Sequence, residues 1–142
     1  MKRIVVINGP NLNMLGRREP DKYGSETLDE INSWLGAAAG REGAELVFFQ
    51  SNVEGELVSA IQEAGNSDGI ILNAGAYTHT SVALRDAIAA IKAPVVEVHL
   101  TNVDAREEFR RKSLIAPVCR GTVSGFGKMS YLLAMNSFLP SR

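Results

Sequence analysis

The chain has little cysteine and no long apolar run, and these two features limit the kinds of protein that it can be. Its single cysteine, Cys119, cannot form an intramolecular disulfide, so we expect a reducing compartment. Because Cys119 lies in the apolar stretch 116–119, we expect its thiol to be buried and inert. No apolar run approaches the ~20 residues that a membrane-spanning helix needs. The residues after Met1-Lys2-Arg3 lack the features of a secretory signal. These absences predict a soluble, cytoplasmic protein.

A large net charge and nucleotide-binding signatures are absent as well. The formal charge is −1 at pH 7, which gives no electrostatic attraction to nucleic acid or to an acidic membrane. The chain carries neither a P-loop nor a GxGxxG motif. Ile7 and Asn8 stand where a receiver domain would place its acidic pair. We therefore expect a small-molecule ligand and no nucleic-acid or membrane partner.

What the chain does have is a regular alternation of two patterns. Short stretches rich in Val and Ile are typical of strands covered on both faces. Thr27 with Glu30, and Asp104 with Glu107, have capping-box spacing. Strands are predicted at 3–7, 45–50, 69–73, 94–100 and 117–123, and helices at 27–42, 54–65, 80–91, 104–112 and 126–138.

Five such units predict one α/β domain over residues 1–142, with a parallel sheet covered by helices on both faces. We predict the strand order 2-1-3-4-5 of a flavodoxin-like three-layer sandwich. The switch point of that order lies between the first and third strands. A ligand is expected there, at the carboxyl ends of the strands.

The loop after the first predicted strand is long and polar. Strand-to-helix connections ordinarily take ~2–6 residues, but this one extends over 8–23 and includes Asn11, Arg18 and Tyr23. Tyrosine has an ordinary pKa near 10, and a cation within ~4–6 Å can lower the pKa of an acid by ~1–3. Arg18 could thus make Tyr23 a base, and Asn11 could stabilise an enolate oxygen. A solvated loop with ordinary Asn turns is the simpler alternative.

Polar residues also follow the third and fourth predicted strands. Asn73 and His79 follow the third strand, and Glu97, His99 and Thr101 mark the end of the fourth. The last three share one face because strand side chains alternate. A carboxylate beside an imidazole can fix its tautomer, which suits a proton donor. A structural ion pair at the sheet end is the simpler alternative.

Three charged residues on predicted helices have weaker signals. Arg106 and Arg110 lie four apart, so they share a helix face, and one of them could reach a polyol or a carboxylate. A solvated helix face explains them equally well. Asp86 lies in the middle of another predicted helix, where a surface ion pair is the simplest interpretation.

Two competing functions remain open at this point. His79, His99 and Glu97 are formally a 2-His-1-carboxylate metal set, although their spacing matches no recognisable metal motif. A metal-dependent hydrolase is therefore a minor alternative. The other alternative is a non-catalytic flavodoxin-like module that binds a small anion or nucleotide.

Taken together, several motifs resemble the type II 3-dehydroquinate dehydratases over nearly the whole chain. Their order and spacing are specific, although no single motif is. The motifs are NGPNL at 8–12, GRREP at 16–20, QSN at 50–52, NAGAYTHTS at 73–81 and EVHLTN at 97–102. The resemblance implies a flavodoxin-like fold and the third step of the shikimate pathway, in which 3-dehydroquinate loses water to give 3-dehydroshikimate. It implies an anti elimination through an enolate, with no metal, no cofactor and no Schiff-base lysine.

The resemblance also implies a catalytic role for five residues. Tyr23 would take a proton from the carbon beside the substrate ketone, and Arg18 would hold Tyr23 ionised. Asn11 would stabilise the enolate through a water. His99 would protonate the departing hydroxyl, oriented by Glu97.

Substrate binding and assembly are implied in the same way. Asp86 would reach the site of a neighbouring subunit in a homododecamer built as a tetramer of trimers, and the loop with the base would be a mobile lid. Thr101 stands where the family usually has serine, and Met14 stands where it usually has leucine. Neither departure falls on an implied catalytic residue. The implied substrate-binding residues are Asn73, His79, Asp86, Leu100, Thr101 and Arg110.

Overall fold

The computed structural model describes residues 1–17 and 19–140, apart from the side chains of Lys22 and Tyr23. Its strands pair in parallel in the order β2-β1-β3-β4-β5, which confirms the predicted order. The strands are β1 (Lys2–Asn8), β2 (Ala44–Gln50), β3 (Gly69–Asn73), β4 (Val95–His99) and β5 (Gly121–Ser124).

Helices cover both faces of this sheet, as predicted. They are α1 (Pro20–Tyr23), α2 (Leu28–Arg41), α3 (Glu54–Glu63), α4 (Val82–Ala90) and α5 (Met129–Asn136). Alternate residues of β1 point to opposite layers: Ile4 packs with α2 and α5, whereas Val5 packs with α3 and α4. This is the side-chain period of a strand buried on both faces. Within the described residues, every helix is too short or too polar to cross a bilayer.

The start of α2 follows from its local sequence. The Thr27 hydroxyl accepts from the Glu30 backbone N–H at 3.2 Å, and the Thr27 N–H donates to the Glu30 carboxylate at 3.1 Å. This reciprocal pair is the predicted capping box, and it satisfies two backbone donors that a helix start leaves unpaired.

The helix predicted at 104–112 is wrong, because the chain forms two short 3₁₀ turns there, Val103–Ala105 and Glu108–Arg110. Asn102 caps the first turn by accepting from the Asp104 N–H at 3.1 Å, so the second predicted capping box is wrong too. The segment is strongly charged, and its one large apolar side chain, Phe109, is 64% exposed. Without a buried apolar stripe, tertiary packing cannot stabilise a helix.

The last strand begins at Gly121 rather than at the predicted residue 117. Pro117 lies instead in the 3₁₀ turn Ala116–Val118. Proline has no N–H to donate to a strand ladder, so this segment cannot pair as an interior strand does. Pro117 and Arg120 are exposed, and the apolar residues between them, Val118 and Cys119, are half-buried without forming a strand.

The loops that follow β1 and β3 are in direct contact. The Gly9 N–H donates to the Asn73 carbonyl at 2.7 Å. A Cβ on Gly9 would lie 2.6 Å from the Ala74 carbonyl oxygen, closer than real Cβ atoms approach. Gly75 adopts φ +59°, a left-handed conformation that glycine reaches at little cost, and faces the Pro10 carbonyl. The close approach of these two backbones fixes how the loops after β1 and β3 lie relative to each other.

Replacing Gly9 with alanine tests this constraint. We expect Gly9→Ala to lower the free energy of unfolding by roughly 1–3 kcal/mol, because backbone atoms must move to admit the methyl group. Gly55→Ala is the matched control, since a Cβ there meets nothing within 4 Å in helix α3, and we expect it to change stability by less than about 1 kcal/mol. Urea unfolding at equal protein concentration measures both. Equal stability of the two variants would contradict the constraint.

Candidate active site

A cavity of about 150 Å³ lies at the carboxyl ends of β1, β3 and β4. This is the predicted switch point, where the strand order reverses direction. Most of the residues that the sequence singled out line the cavity. They are Asn11, Asn73, His79, His99, Leu100, Thr101, Arg106 and Arg110.

A buried imidazole–carboxylate pair stands at the end of β4. The Nε2 atom of His99 lies 2.6 Å from an Oε atom of Glu97, and the two side chains are 10% and 4% exposed. With an ionised carboxylate, Nε2 carries the proton and donates, which leaves Nδ1 as the ring nitrogen for another partner. The other Glu97 oxygen accepts from the Ser113 hydroxyl at 2.9 Å. Both carboxylate oxygens are thus satisfied, as burial of a charge requires.

The second histidine is held by the backbone. His79 Nδ1–H donates to the Lys112 carbonyl at 2.7 Å. A carbonyl can only accept, so Nδ1 must carry the proton and Nε2 remains for a ligand. The two imidazoles lie face to face with centroids 6.4 Å apart and planes inclined by 15°. The cavity therefore presents two rings whose proton positions are set by different partners.

Asn73 is oriented by groups on three elements. Its amide oxygen accepts from the Gly75 N–H at 3.2 Å, and its amide nitrogen donates to the Tyr131 hydroxyl at 3.0 Å. Tyr131 in turn donates to the Asn8 side-chain oxygen. Burial raises the pKa of Tyr131, although its hydrogen bond with Asn73 acts in the opposite direction, so the hydroxyl stays protonated. One amide N–H of Asn73 is left for a ligand.

Tyr131 was not among the site residues that the sequence indicated. The side chain is 1% exposed and does pack in the core. Its hydroxyl also supports a cavity residue 58 positions away. Long-range hydrogen bonding of this kind has no local sequence signal.

Asn11 has a left-handed backbone, with φ 70°. Its N–H donates to the Asn52 side-chain oxygen at 3.0 Å, and the Asn52 carbonyl accepts from the Tyr77 hydroxyl at 2.8 Å. Asparagine tolerates this conformation better than most residues. Asn52 was not predicted as a site residue, although it belongs to the QSN motif at 50–52, which was the available signal.

Two arginines line the cavity on the 102–112 segment. Arg110 donates through Nε to Glu107 at 2.8 Å, and Arg106 Nε lies 4.0 Å from the other oxygen of that carboxylate. The hydrogen bond from Arg110 lowers the pKa of Glu107, and a backbone hydrogen bond and then the positive charge of both arginines lower it further. Although the predicted helix is absent, both arginines line the cavity. Guanidinium groups suit an anionic or hydroxylated ligand.

Two predicted site residues within the described part of the chain, Glu97 and Asp86, are absent from the cavity lining, although Glu97 contacts the lining residue His99. Asp86 lies on α4, where its side chain is 67% exposed and 3.4 Å from Arg85. This matches the surface ion pair expected from sequence. Arg18 and the Tyr23 side chain lie outside the described residues, and Tyr23 is placed only as the last residue of α1.

The metal alternative lacks a suitable set of ligands. Among the described residues, no three His, Cys, Asp or Glu side chains are grouped so that they could hold a metal ion. Glu97 directs its oxygens to His99 and Ser113 rather than toward His79. The metal-dependent hydrolase therefore has no support from the arrangement of these residues.

Cys119 is half-buried beside the apolar layer of α3 and α4 rather than fully buried. Burial, followed by the charge of Glu97, raises the pKa of its thiol to about 12. At neutral pH the thiolate fraction is then about 3,000-fold below that of an ordinary cysteine with a pKa of about 8.5. This supports the prediction of an inert thiol.

Thiol alkylation tests this assignment. We expect iodoacetamide at pH 8 to label the folded chain at least about 100-fold more slowly than the chain in guanidinium chloride, because the thiolate is the reacting species. Mass spectrometry against time measures both rates. Similar rates in a chain shown to be folded would contradict the raised pKa.

The sequence and the fold are both similar to proteins of one family. The family model described as Dehydroquinase class II matches residues 2–139. The chain is 59% identical to the 3-dehydroquinate dehydratase of a Nitratiruptor species, over 94% of this chain and 86% of that one. It is 58% identical to the 3-dehydroquinate dehydratase of an Exiguobacterium species, over 96% and 94% of the two chains.

A solved structure supports the same relationship. The fold resembles the crystal structure of the type II dehydroquinase from Butyrivibrio crossotus DSM 2876 with a TM-score of 0.94 and 43% identity, over 96% of this chain and 97% of that one. The family match covers nearly all of the strands, helices and cavity residues described above. The chain therefore belongs to the class II dehydroquinase family.

Proposed function

We propose that this chain, a 3-dehydroquinate dehydratase by family, removes water from 3-dehydroquinate by anti elimination through an enolate, giving 3-dehydroshikimate. This is the third step of the shikimate pathway, which leads to chorismate and the aromatic amino acids. The observation that carries the proposal is the buried His99–Glu97 pair at a cavity lined by amides and arginines. Residues 1–142 are proposed to form one catalytic domain.

Proton removal is assigned to Tyr23. Its phenolate would take a proton from the carbon beside the ketone, and the C–H electrons would pass into an enolate. Arg18 would hold the phenolate by its positive charge, as a cation within ~4–6 Å lowers the pKa of an acid. Asn11, which lines the cavity, would stabilise the enolate oxygen through a water.

Departure of the hydroxyl is assigned to His99. As the enolate collapses, the carbon–oxygen bond breaks and the leaving oxygen takes a proton from the imidazole, so that water departs. Nε2 is committed to Glu97, so His99 would act as the doubly protonated imidazolium, delivering the Nδ1 proton to the leaving oxygen and keeping the proton on Nε2. The base on the first loop and the acid at the end of β4 come from separate elements, which suits an elimination with the two groups on opposite faces of the ring.

Substrate binding is assigned to the rest of the cavity. Asn73, His79 and Arg110, with the Leu100-Thr101 segment, would hold the carboxylate and hydroxyls. Asp86 is exposed on α4 and absent from the lining of the cavity of its own chain. This position supports a role for Asp86 in a neighbouring site within a homododecamer, a tetramer of trimers. We propose a cytoplasmic enzyme without metal or other cofactor.

Turnover of 3-dehydroquinate tests the function. After exhaustive chelation, we expect the wild-type chain to produce the ultraviolet absorbance of the conjugated enone. Tyr23→Phe removes the ionisable hydroxyl and should lower kcat by at least about 100-fold, the usual contribution of a general base. Circular dichroism and light scattering would establish that the variant is folded and assembled. Near wild-type turnover by that variant would show that Tyr23 is not the base.

A matched pair of arginine variants tests the cation. Arg18→Ala and Arg17→Ala remove the same charge from neighbouring positions, and Arg17 is exposed and absent from the cavity lining. We expect Arg18→Ala to lower kcat by at least about tenfold more than Arg17→Ala, because only Arg18 would stabilise the phenolate. Steady-state kinetics at equal protein concentration measures both. Equal losses would assign the effect to general loop charge.

A further inference from the structure

A short segment after the second 3₁₀ turn anchors both cavity histidines. The Lys112 carbonyl accepts from His79, and the Ser113 hydroxyl donates to Glu97, the partner of His99. The next residue, Leu114, donates its N–H to the Thr78 carbonyl at 2.9 Å. Residues 112–114 thus form hydrogen bonds both with the loop that follows β3 and with the end of β4. None of these three residues was predicted to belong to the site.

The Ser113 hydroxyl has a defined direction. A serine hydroxyl has one proton to donate, and here Glu97 receives it at 2.9 Å. The serine oxygen accepts from the Ala116 N–H at 3.0 Å, which holds the oxygen in place. The proton therefore points at the carboxylate. A hydrogen bond to an ionised group is among the stronger ones available to a side chain.

Glu97 depends on this donor because it is 3% exposed. Within the described part of the chain, the His99 ring holds one of its oxygens and Ser113 holds the other. Without the hydroxyl, one oxygen of a buried carboxylate would lack this partner, at considerable energetic cost. The carboxylate would then rotate toward other donors, and the imidazole that it orients would lose its fixed tautomer.

We propose that Ser113 is a positioning residue, which locks the Glu97 carboxylate so that His99 Nδ1 faces the leaving hydroxyl. The proposal deepens the dehydratase mechanism and rests on it. Ser113 is not among the residues that line the cavity. Its effect passes entirely through Glu97 to His99.

Removal of the hydroxyl should affect turnover more than binding. We expect Ser113→Ala to lower kcat about tenfold, as loss of a charge-assisted hydrogen bond would, with KM within about twofold of wild type. Ser113→Thr keeps the hydroxyl and should restore most of kcat. Ser67→Ala is the matched control, since the half-buried Ser67 donates to the Ala64 carbonyl at 2.7 Å, away from the site, and it should leave kcat unchanged. A wild-type kcat in Ser113→Ala would overturn the proposal.

A double-mutant cycle separates positioning from general packing. In a Glu97→Ala background, the further change Ser113→Ala should alter kcat by less than about twofold, because the oxygens that accept from Ser113 are gone. An undiminished tenfold loss in that background would show that Ser113 acts by another route. Such a result would overturn the proposal while leaving the dehydratase function intact.

The tautomer of His99 gives a readout that does not need turnover. The chain has only two histidines, so ¹⁵N imidazole spectra can be assigned with a His99→Gln variant. We expect neutral His99 to carry its proton on Nε2 in the wild type and to mix tautomers in Ser113→Ala. An unchanged tautomer in Ser113→Ala would overturn the positioning role. Failure of the wild type to convert 3-dehydroquinate would instead refute the proposed function, whatever the spectra show.

Discussion

The close contact between the loops after β1 and β3 is the constraint on which the site depends. Parallel pairing aligns Asn8 with both Gln50 and Asn73, so three strands end at one level. The hydrogen bond from the Gly9 N–H to the Asn73 carbonyl then joins the loop after β1 to the end of β3, at the switch point of the sheet. A side chain at residue 9 would separate these backbones. The cavity forms because the strand order changes direction at this point and the loops after β1 and β3 stay in contact.

Buried polarity is the second organising influence. Glu97 is deeply buried beside the cavity, and its charge is compatible with burial because His99 and Ser113 donate to its two oxygens. Asn73 is satisfied in a similar way by Gly75 and Tyr131. Groups that complete their hydrogen bonds inside the protein also lose rotational freedom. The same contacts that make burial tolerable therefore fix the orientation of the groups that face the ligand.

Irregular structure supplies the remaining geometry. Residues 102–114 carry two arginines, the Lys112 carbonyl and the Ser113 hydroxyl to the site without forming an α-helix. A regular helix would present side chains at a fixed angular spacing, whereas short 3₁₀ turns let each group leave the chain in its own direction. The motif at 97–102 identified the reactive pair, but its support comes from this less regular segment.

The sequence by itself determined the alternation of strands and helices, the strand order, the α2 capping box and the cavity residues Asn11, Asn73, His79 and His99. These follow from local periodicity, from short-range capping and from the rule that ligands bind at a switch point. Only the tertiary structure decided that 104–112 is not a helix, that Tyr131 supports Asn73 and that Ser113 supports Glu97. Hydrogen bonds between residues distant in the chain leave no periodic trace, because they arise only when packing brings their elements together.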